Sequence, residues 1–342
     1  MLDLIHEYEK LIGNTPLVAI DYTYKGVKSK SYFKLEYFNP SGSIKDRMAL
    51  QIIKDAIKNK EFNKNMSIAE ATSGNTGIAF AALGAFLGVE VEIFMPCWMS
   101  EERKKLIKSY GAKLREVSAL EGGFEGAVKL ANESAKRKRE NFLNKILLEN
   151  EKEKEVFLPH QFDNLNNIKA HENTANEIIN TLKKHNLKPE CFVAGVGTGG
   201  TIMGVGKILK PLGAKICPLE PEGCASMSIP GQNSEHKIQG IGDGFVPSIV
   251  NLNELDDIII VNDIDSIIMA QKLAKIGLGV GISSGANFLG CVKAKEIHKD
   301  MVCISVFADD NKKYLSTDLT KKLESEERFL SNHINLIGYT IL

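Results

Sequence analysis

Short runs of β-branched and apolar residues alternate along the chain with longer stretches of helical periodicity. Val89–Phe94, Cys191–Ala194, Lys215–Leu219, Ile258–Val261 and Val302–Phe307 have the length and composition of strands. Between them, Ile78–Leu87 and Ile264–Leu278 bring apolar residues back every three or four positions, which predicts helices. This alternation predicts an α/β fold with twisted, mostly parallel sheets covered by helices. The 342 residues exceed the roughly 250–300 that one core accommodates, so two lobes are expected. The pattern breaks at residues 132–155, where Lys136–Glu140 and Glu149–Glu155 read as a solvated helix and loop, a natural junction between lobes. The tail from Ser331 to Leu342 is apolar enough to dock on its own lobe or on a second subunit.

Charge and composition remove several classes of function. The 43 basic and 43 acidic residues cancel, so nothing favours nucleic acid or an anionic membrane as partner. No run approaches the roughly 20 apolar residues of a membrane span, and Met1–Glu7 is acidic, without the basic start of a signal peptide. The six cysteines form no C-x-x-C pair and read as scattered, packed thiols, Cys97 among them, in a reducing cytoplasm.

Three glycine-bearing turns sit where strands give way to helices, the edge at which α/β sheets bind ligands. Gly195-Val-Gly-Thr-Gly-Gly-Thr201 offers backbone amides and a helix N-terminus to an anion, which makes it a phosphate site. Its Gly195, Gly197 and Gly200 also satisfy G-x-G-x-x-G. With Glu220 on the next strand this would suit a nicotinamide dinucleotide, and hence an oxidoreductase. Thr72-Ser-Gly-Asn-Thr-Gly77 gathers hydroxyls, an amide and helix N–H groups suited to a small carboxylate, or serves only as a helix cap. Pro40–Arg47 places Lys45 at a helix start. Such a lysine is ordinarily solvated, and becomes a nucleophile toward carbonyls only if burial or a cation lowers its pKa.

Together these segments resemble the cysteine synthase and cystathionine β-synthase family of pyridoxal-phosphate (PLP) enzymes, of fold type II. The resemblance is carried in order by Leu11–Val18, Asn39–Arg47, Thr72–Gly77, Met99–Lys104, Gly197–Thr201, His236–Gly242 and Gly281–Ala286. It implies a smaller, mobile lobe over 46–155 and a larger lobe over 1–45 and 156–330, with PLP in the cleft between them and 331–342 as a C-terminal tail. It further implies that Lys45 carries the cofactor as a Schiff base and that Gly197, Thr198, Gly199, Gly200 and Thr201 hold its phosphate. Asn75 would bond the ring hydroxyl oxygen and Ser283 would face the pyridine nitrogen. Thr72, Ser73, Gly74, Thr76 and Gln161 would receive the substrate carboxylate, with Gly240 along the amino-acid side. The resemblance also implies a homodimer and a small amino-acid substrate such as cysteine, serine or O-acetylserine.

The sequence departs from the family at Asp243, where a small residue or tyrosine is usual, and at Phe307–Asn311, where a proline- and serine-containing turn is usual. A carboxylate near the β-substituent would repel hydrosulfide and acetate. It could also take a proton from water or give one to a leaving thiolate. The expected reaction is therefore cysteine breakdown to hydrogen sulfide and serine, with Asp243 catalytic beside Lys45. Cysteine synthesis and cystathionine- or lanthionine-type synthesis are the alternatives. Asp243 turned to solvent in its glycine-rich loop would remove the distinction.

Overall fold

The computed structural model describes residues 1–146, 154–299 and 301–342. Helix α1 (Leu2–Glu9) precedes a hairpin of β1 (Leu17–Tyr24) and β2 (Val27–Leu35). Then follow α2 (Lys45–Lys58), β3 (Ser67–Ala71), α3 (Asn75–Leu87), β4 (Val91–Pro96), α4 (Glu101–Ser109), β5 (Lys113–Val117), α5 (Gly123–Ile146) and β6 (Val156–Phe157). The chain continues through α6 (Asn166–Lys184), β7 (Cys191–Gly195), α7 (Gly200–Leu209), β8 (Lys215–Pro221), β9 (Ile259–Val261), α8 (Asp263–Lys275), α9 (Ile282–His298), β10 (Cys303–Phe307) and β11 (Ile334–Ile341).

Two sheets result. One runs β5-β4-β3-β6 and is parallel throughout; the other runs β11-β1-β2-β10-β7-β8-β9. The second is also mostly parallel, through the pairings β2-β10, β10-β7, β7-β8 and β8-β9, and is mixed only because β1 pairs antiparallel with β2 and β11. The hairpin turns at Lys25-Gly26, both at positive φ, as a tight two-residue turn requires. The apolar tail thus docks on its own sheet. The described part of the charged stretch is the end of α5, and residues 147–153 of it lie outside the described residues.

Each sheet is covered by helices chosen by hydrophobic pattern. α3 is apolar around its whole circumference and is almost entirely buried in the core over β3 and β4. α9 fills the larger core with Phe288, Leu289 and Val292, against Phe33 and Phe307 of β2 and β10.

The start of α2, which carries Lys45, is anchored by buried charge. Arg47 donates to Glu36 through Nε (2.6 Å) and Nη2 (2.9 Å), and to Glu177 through Nη1 and Nη2 (both 2.8 Å). Thr15 and Asn39 also donate to Glu36. Burial pushes the Glu36 carboxyl up, but Arg47 and Lys34 outweigh it and hold it at about 2. Its stabilisation is therefore present above the ordinary carboxylate pKa and is lost as pH falls toward about 2. Because one partner would be left charged and buried, Glu36→Ala is expected to cost about 3–5 kcal/mol in urea unfolding. A loss below about 1 kcal/mol, the size of an exposed pair, would contradict this account.

Candidate active site

A cleft of about 770 Å³, counted to its open mouth, lies between the two sheets at the carboxyl end of β7. Lys45, the first residue of α2, projects into it. Its approach is fixed by the Ile44 amide, which donates to the Ala308 carbonyl (2.9 Å), and by the Ser41 amide on Asp46 (2.9 Å). Among the described residues the Lys45 Nζ has no hydrogen-bond or ion-pair partner. Burial lowers its pKa, and the charges of Asp243 and Asp309 oppose that shift. A buried amine of lowered pKa is the form that attacks a carbonyl.

Opposite, β7 ends in the Gly195–Thr201 turn that opens α7. Asn287 accepts from the Gly195 amide (2.9 Å), and Asn167 donates to the Thr198 hydroxyl (2.9 Å), so the turn is braced from two helices. The amides of Gly197 through Thr201 meet no protein acceptor among the described residues. A Cβ on Gly197 would run into the Gly240 carbonyl, and Gly199 has φ +86°. Free amides at a helix N-terminus form a receptor for a phosphate. His171, 3.4 Å from the Thr201 hydroxyl, is held neutral by burial, its pKa lowered to about 3.

The Thr72–Gly77 loop forms another wall. Gly74 donates to the Thr72 hydroxyl (2.9 Å), Thr76 donates to Gln161 Oε1 (2.6 Å), and Gln161 Nε2 donates to the Ala71 carbonyl (2.7 Å). These side chains stiffen a loop whose Thr72, Ser73, Asn75 and Thr76 line the cleft with Gln161. Ser283, at the start of α9, lies on the same wall system. Two expected residues stand behind the surface rather than on it. Gly74, at φ +151°, makes room for the Arg103 side chain, and Gly200 makes room for Asn167.

Asp243 faces the cleft together with Gly240. Its loop is tied to the Gly195–Thr201 turn by the Gly242 amide on the Val196 carbonyl (2.9 Å), and His236 Nε2 lies 2.8 Å from the Gly242 carbonyl oxygen. Positive φ at Gly240, Gly242 and Gly244 lets the loop curl around this tie. Burial raises the Asp243 pKa, with Lys45 and His236 opposing.

The structure adds residues that the sequence reading passed over. Arg103 of α4 is 1% exposed; its guanidinium bonds Gln239 and the Tyr314 hydroxyl (2.6 Å) and sits 3.5 Å from Asp309. It also lies over the Tyr314 ring. Asn75 donates to Asp309 (2.8 Å) and accepts from Lys313 (3.0 Å). These bonds cross from the four-stranded to the seven-stranded side and close one end of the cleft. Arg103 stands in the Met99–Lys104 segment that carries part of the family resemblance, which gave it no role of its own, and its burial reveals one. Phe162 also lines the cleft and packs edge-on against Phe124 and Phe245 near its mouth.

The dinucleotide reading fails at Glu220. Both of its carboxylate oxygens accept backbone amides, from Met227 and Ser228 (2.9 Å each), and it does not line the cleft. Cys97 is exposed rather than packed. No helix among the described residues is long and apolar enough to cross a membrane. A buried amine and a cradle of amides, both without partners among the described residues, and a hydroxyl at a helix start together suit PLP.

Comparison with known proteins agrees. The family model for pyridoxal-phosphate dependent enzymes matches residues 8–309. Cysteine synthase B of Campylobacter jejuni is 42% identical over 319 residues, covering 92% of this chain and 99% of that protein. The crystal structure of a hydrogen sulfide-producing enzyme from Fusobacterium nucleatum superposes with a TM-score of 0.92 at 47% identity, each chain fully covered. A second structure of that enzyme is an aspartate-to-asparagine variant in complex with an α-aminoacrylate intermediate. The nicotinamide-dependent alternative is thereby overturned: the chain belongs to the pyridoxal-phosphate-dependent enzymes of the cysteine synthase type, which carry out β-replacement and β-elimination on small sulfur amino acids.

Proposed function

We propose that this enzyme degrades L-cysteine, releasing hydrogen sulfide and adding water at the β-carbon to give L-serine. The observation that carries this reading is the position of Asp243, a carboxyl of raised pKa and without a hydrogen-bond or ion-pair partner among the described residues, on the same cleft as Lys45. Cysteine and water give serine and hydrogen sulfide, so no oxidant or reductant is needed. Bound in the cleft, PLP supplies the electron sink that stabilises the pair left at the α-carbon. Gly197, Thr198, Gly199, Gly200 and Thr201 would hold its phosphate and Lys45 its aldehyde carbon, with Asn75 toward the ring oxygen and Ser283 toward the ring nitrogen. A serine hydroxyl does not fix a proton on that nitrogen as a carboxylate would. The weaker sink suits β-chemistry.

The chain's own residues then divide the proton work. The α3 N-terminus with Thr72, Ser73, Thr76 and Gln161 receives the substrate carboxylate and aims the α-proton at Lys45. Lys45, whose pKa is lowered by burial, takes that proton and returns it to the α-carbon after water has added. Sulfur departs as hydrosulfide, and Asp243 takes a proton from the water that adds to the β-carbon and passes it to the released sulfur. Its raised pKa makes it a stronger base for that step. The smaller lobe, over 46–155, moves to admit substrate, and the Arg103 and Asn75 bonds hold it shut.

Cysteine synthesis is the second reading, favoured by the names of relatives such as the Campylobacter enzyme. A carboxylate at the β-carbon counts against it, because hydrosulfide and acetate are anions. Incubation with cysteine alone separates the two. Equal amounts of sulfide and serine are expected, and absence of serine would refute the proposal. We also infer a homodimer, since β11 is an edge strand exposing Ile337, Tyr339 and Ile341. Light scattering should give twice the chain mass, and a monomer would contradict it.

A further inference from the structure

The six cysteines look unrelated in sequence, yet the fold brings several of them together at the edge of the larger sheet away from the cleft. Cys191 opens β7 and Cys303 opens β10, and they are register partners on neighbouring parallel strands. Cys217, near the start of β8, places its sulfur 3.9 Å from that of Cys191. The PLP cleft lies beyond the opposite, carboxyl ends of these strands.

Beside Cys217 stand two further donors from separate elements. His298, the last residue of α9, puts Nε2 4.0 Å from the Cys217 sulfur and 3.0 Å from Asp257 Oδ2. The three donor atoms lie within 4.8 Å of one another. The loop carrying Asp257 is pinned to β8, because the Asp256 amide donates to the Ile216 carbonyl (2.7 Å) and Asp256 accepts from the Ile216 amide (2.8 Å). The geometry points to a zinc-type divalent metal site formed by Cys217, Asp257 and His298, independent of the PLP centre.

Three physical features support this. Tetrahedral zinc with metal–ligand bonds of about 2.0–2.3 Å needs donors about 3.3–3.8 Å apart, and the two separations from His298 Nε2, 4.0 Å and 3.0 Å, fall within a few tenths of an ångström of that range. One thiolate, one imidazole and one carboxylate form a mixed set that suits zinc and does not suit calcium or magnesium. The site lies at the C-terminus of α9, whose dipole end favours a cation. Water would take the fourth position. Cys191 would stand behind the metal-bound sulfur as a hydrogen-bond donor. Asp257 is 49% exposed and gives the ion an entry from solvent, whereas Cys217 is buried. Lys215 is the neighbouring cation, but it pairs with Asp256 rather than with Asp257. Ligation requires the Cys217 thiolate and so displaces the thiol proton.

The test is calorimetric titration of the PLP-loaded enzyme with zinc chloride, in the absence of cysteine. One equivalent should bind, at least about tenfold more weakly in Cys217→Ser, His298→Gln and Asp257→Asn. Cobalt chloride provides a second readout. A thiolate-to-cobalt charge-transfer band should appear in the difference spectrum of the native enzyme and be absent from Cys217→Ser. Asp257→Asn changes a half-exposed side chain, which keeps the test valid if a core substitution fails to fold. Absence of saturable zinc binding would overturn the site, as would binding that survives all three substitutions or a cobalt band unaffected by loss of Cys217.

Discussion

Lys45→Ala should leave a folded, colourless protein that releases no measurable sulfide from cysteine. The fold should tolerate the change because Nζ has no partner among the described residues, and its burial lowers its pKa, so the ammonium form is disfavoured in place. Removing it breaks no ion pair among the described residues. The Arg47 network that positions the helix start is separate from it. Chemistry, by contrast, loses both roles proposed for Lys45, the covalent anchor of PLP and the base for the α-proton. A loss of about 10³-fold or more is expected from these roles together. Thermal melting and the visible absorption band separate the two consequences. Lys45→Arg should not restore activity, because a guanidinium neither forms the imine nor deprotonates near neutrality. A variant that kept the band and the rate would remove Lys45 from the mechanism.

Asp243→Asn should separate departure of sulfur from addition of water. The amide is nearly isosteric but cannot take a proton from water at the β-carbon. Serine formation should fall by about 10²-fold or more, while the colour of the bound cofactor persists. A thiol added in excess needs less base assistance than water, so it should still be incorporated at the β-carbon as a thioether. The native pH profile should also lose serine formation on the acidic side as Asp243 is protonated. Because burial raises its pKa, this limb should lie above the ordinary carboxylate range and be missing from the variant. Unchanged serine formation in Asp243→Asn would place water activation elsewhere.

Much of this site could be read before the fold was known, because its parts are contiguous. A phosphate turn needs successive glycines and a following helix, and Gly195–Thr201 shows both. The Thr72–Gly77 loop is likewise a local signal. Asp243 announced itself as a departure, but its direction depended on a loop curled by Gly240, Gly242 and Gly244 and tied to Val196. The role of Arg103 was hidden, since its partners Gln239, Asp309 and Tyr314 come from more than a hundred residues away. The β1–β2 hairpin was missed because the first half of β2, Val27-Lys-Ser-Lys30, is polar and largely exposed, with no alternating apolar face. The thiols looked scattered because strand register brings Cys191 and Cys303 together, and register leaves no spacing in sequence.

The claim at the centre of this account is that water replaces sulfur at the β-carbon. It is tested most directly by supplying cysteine to the purified enzyme in heavy-oxygen water and identifying the products by mass spectrometry. Serine carrying the heavy oxygen on its side chain is expected, in equal amount to the sulfide released. Pyruvate or lanthionine in place of serine, or no sulfide from cysteine while O-acetylserine and sulfide combine readily, would contradict it.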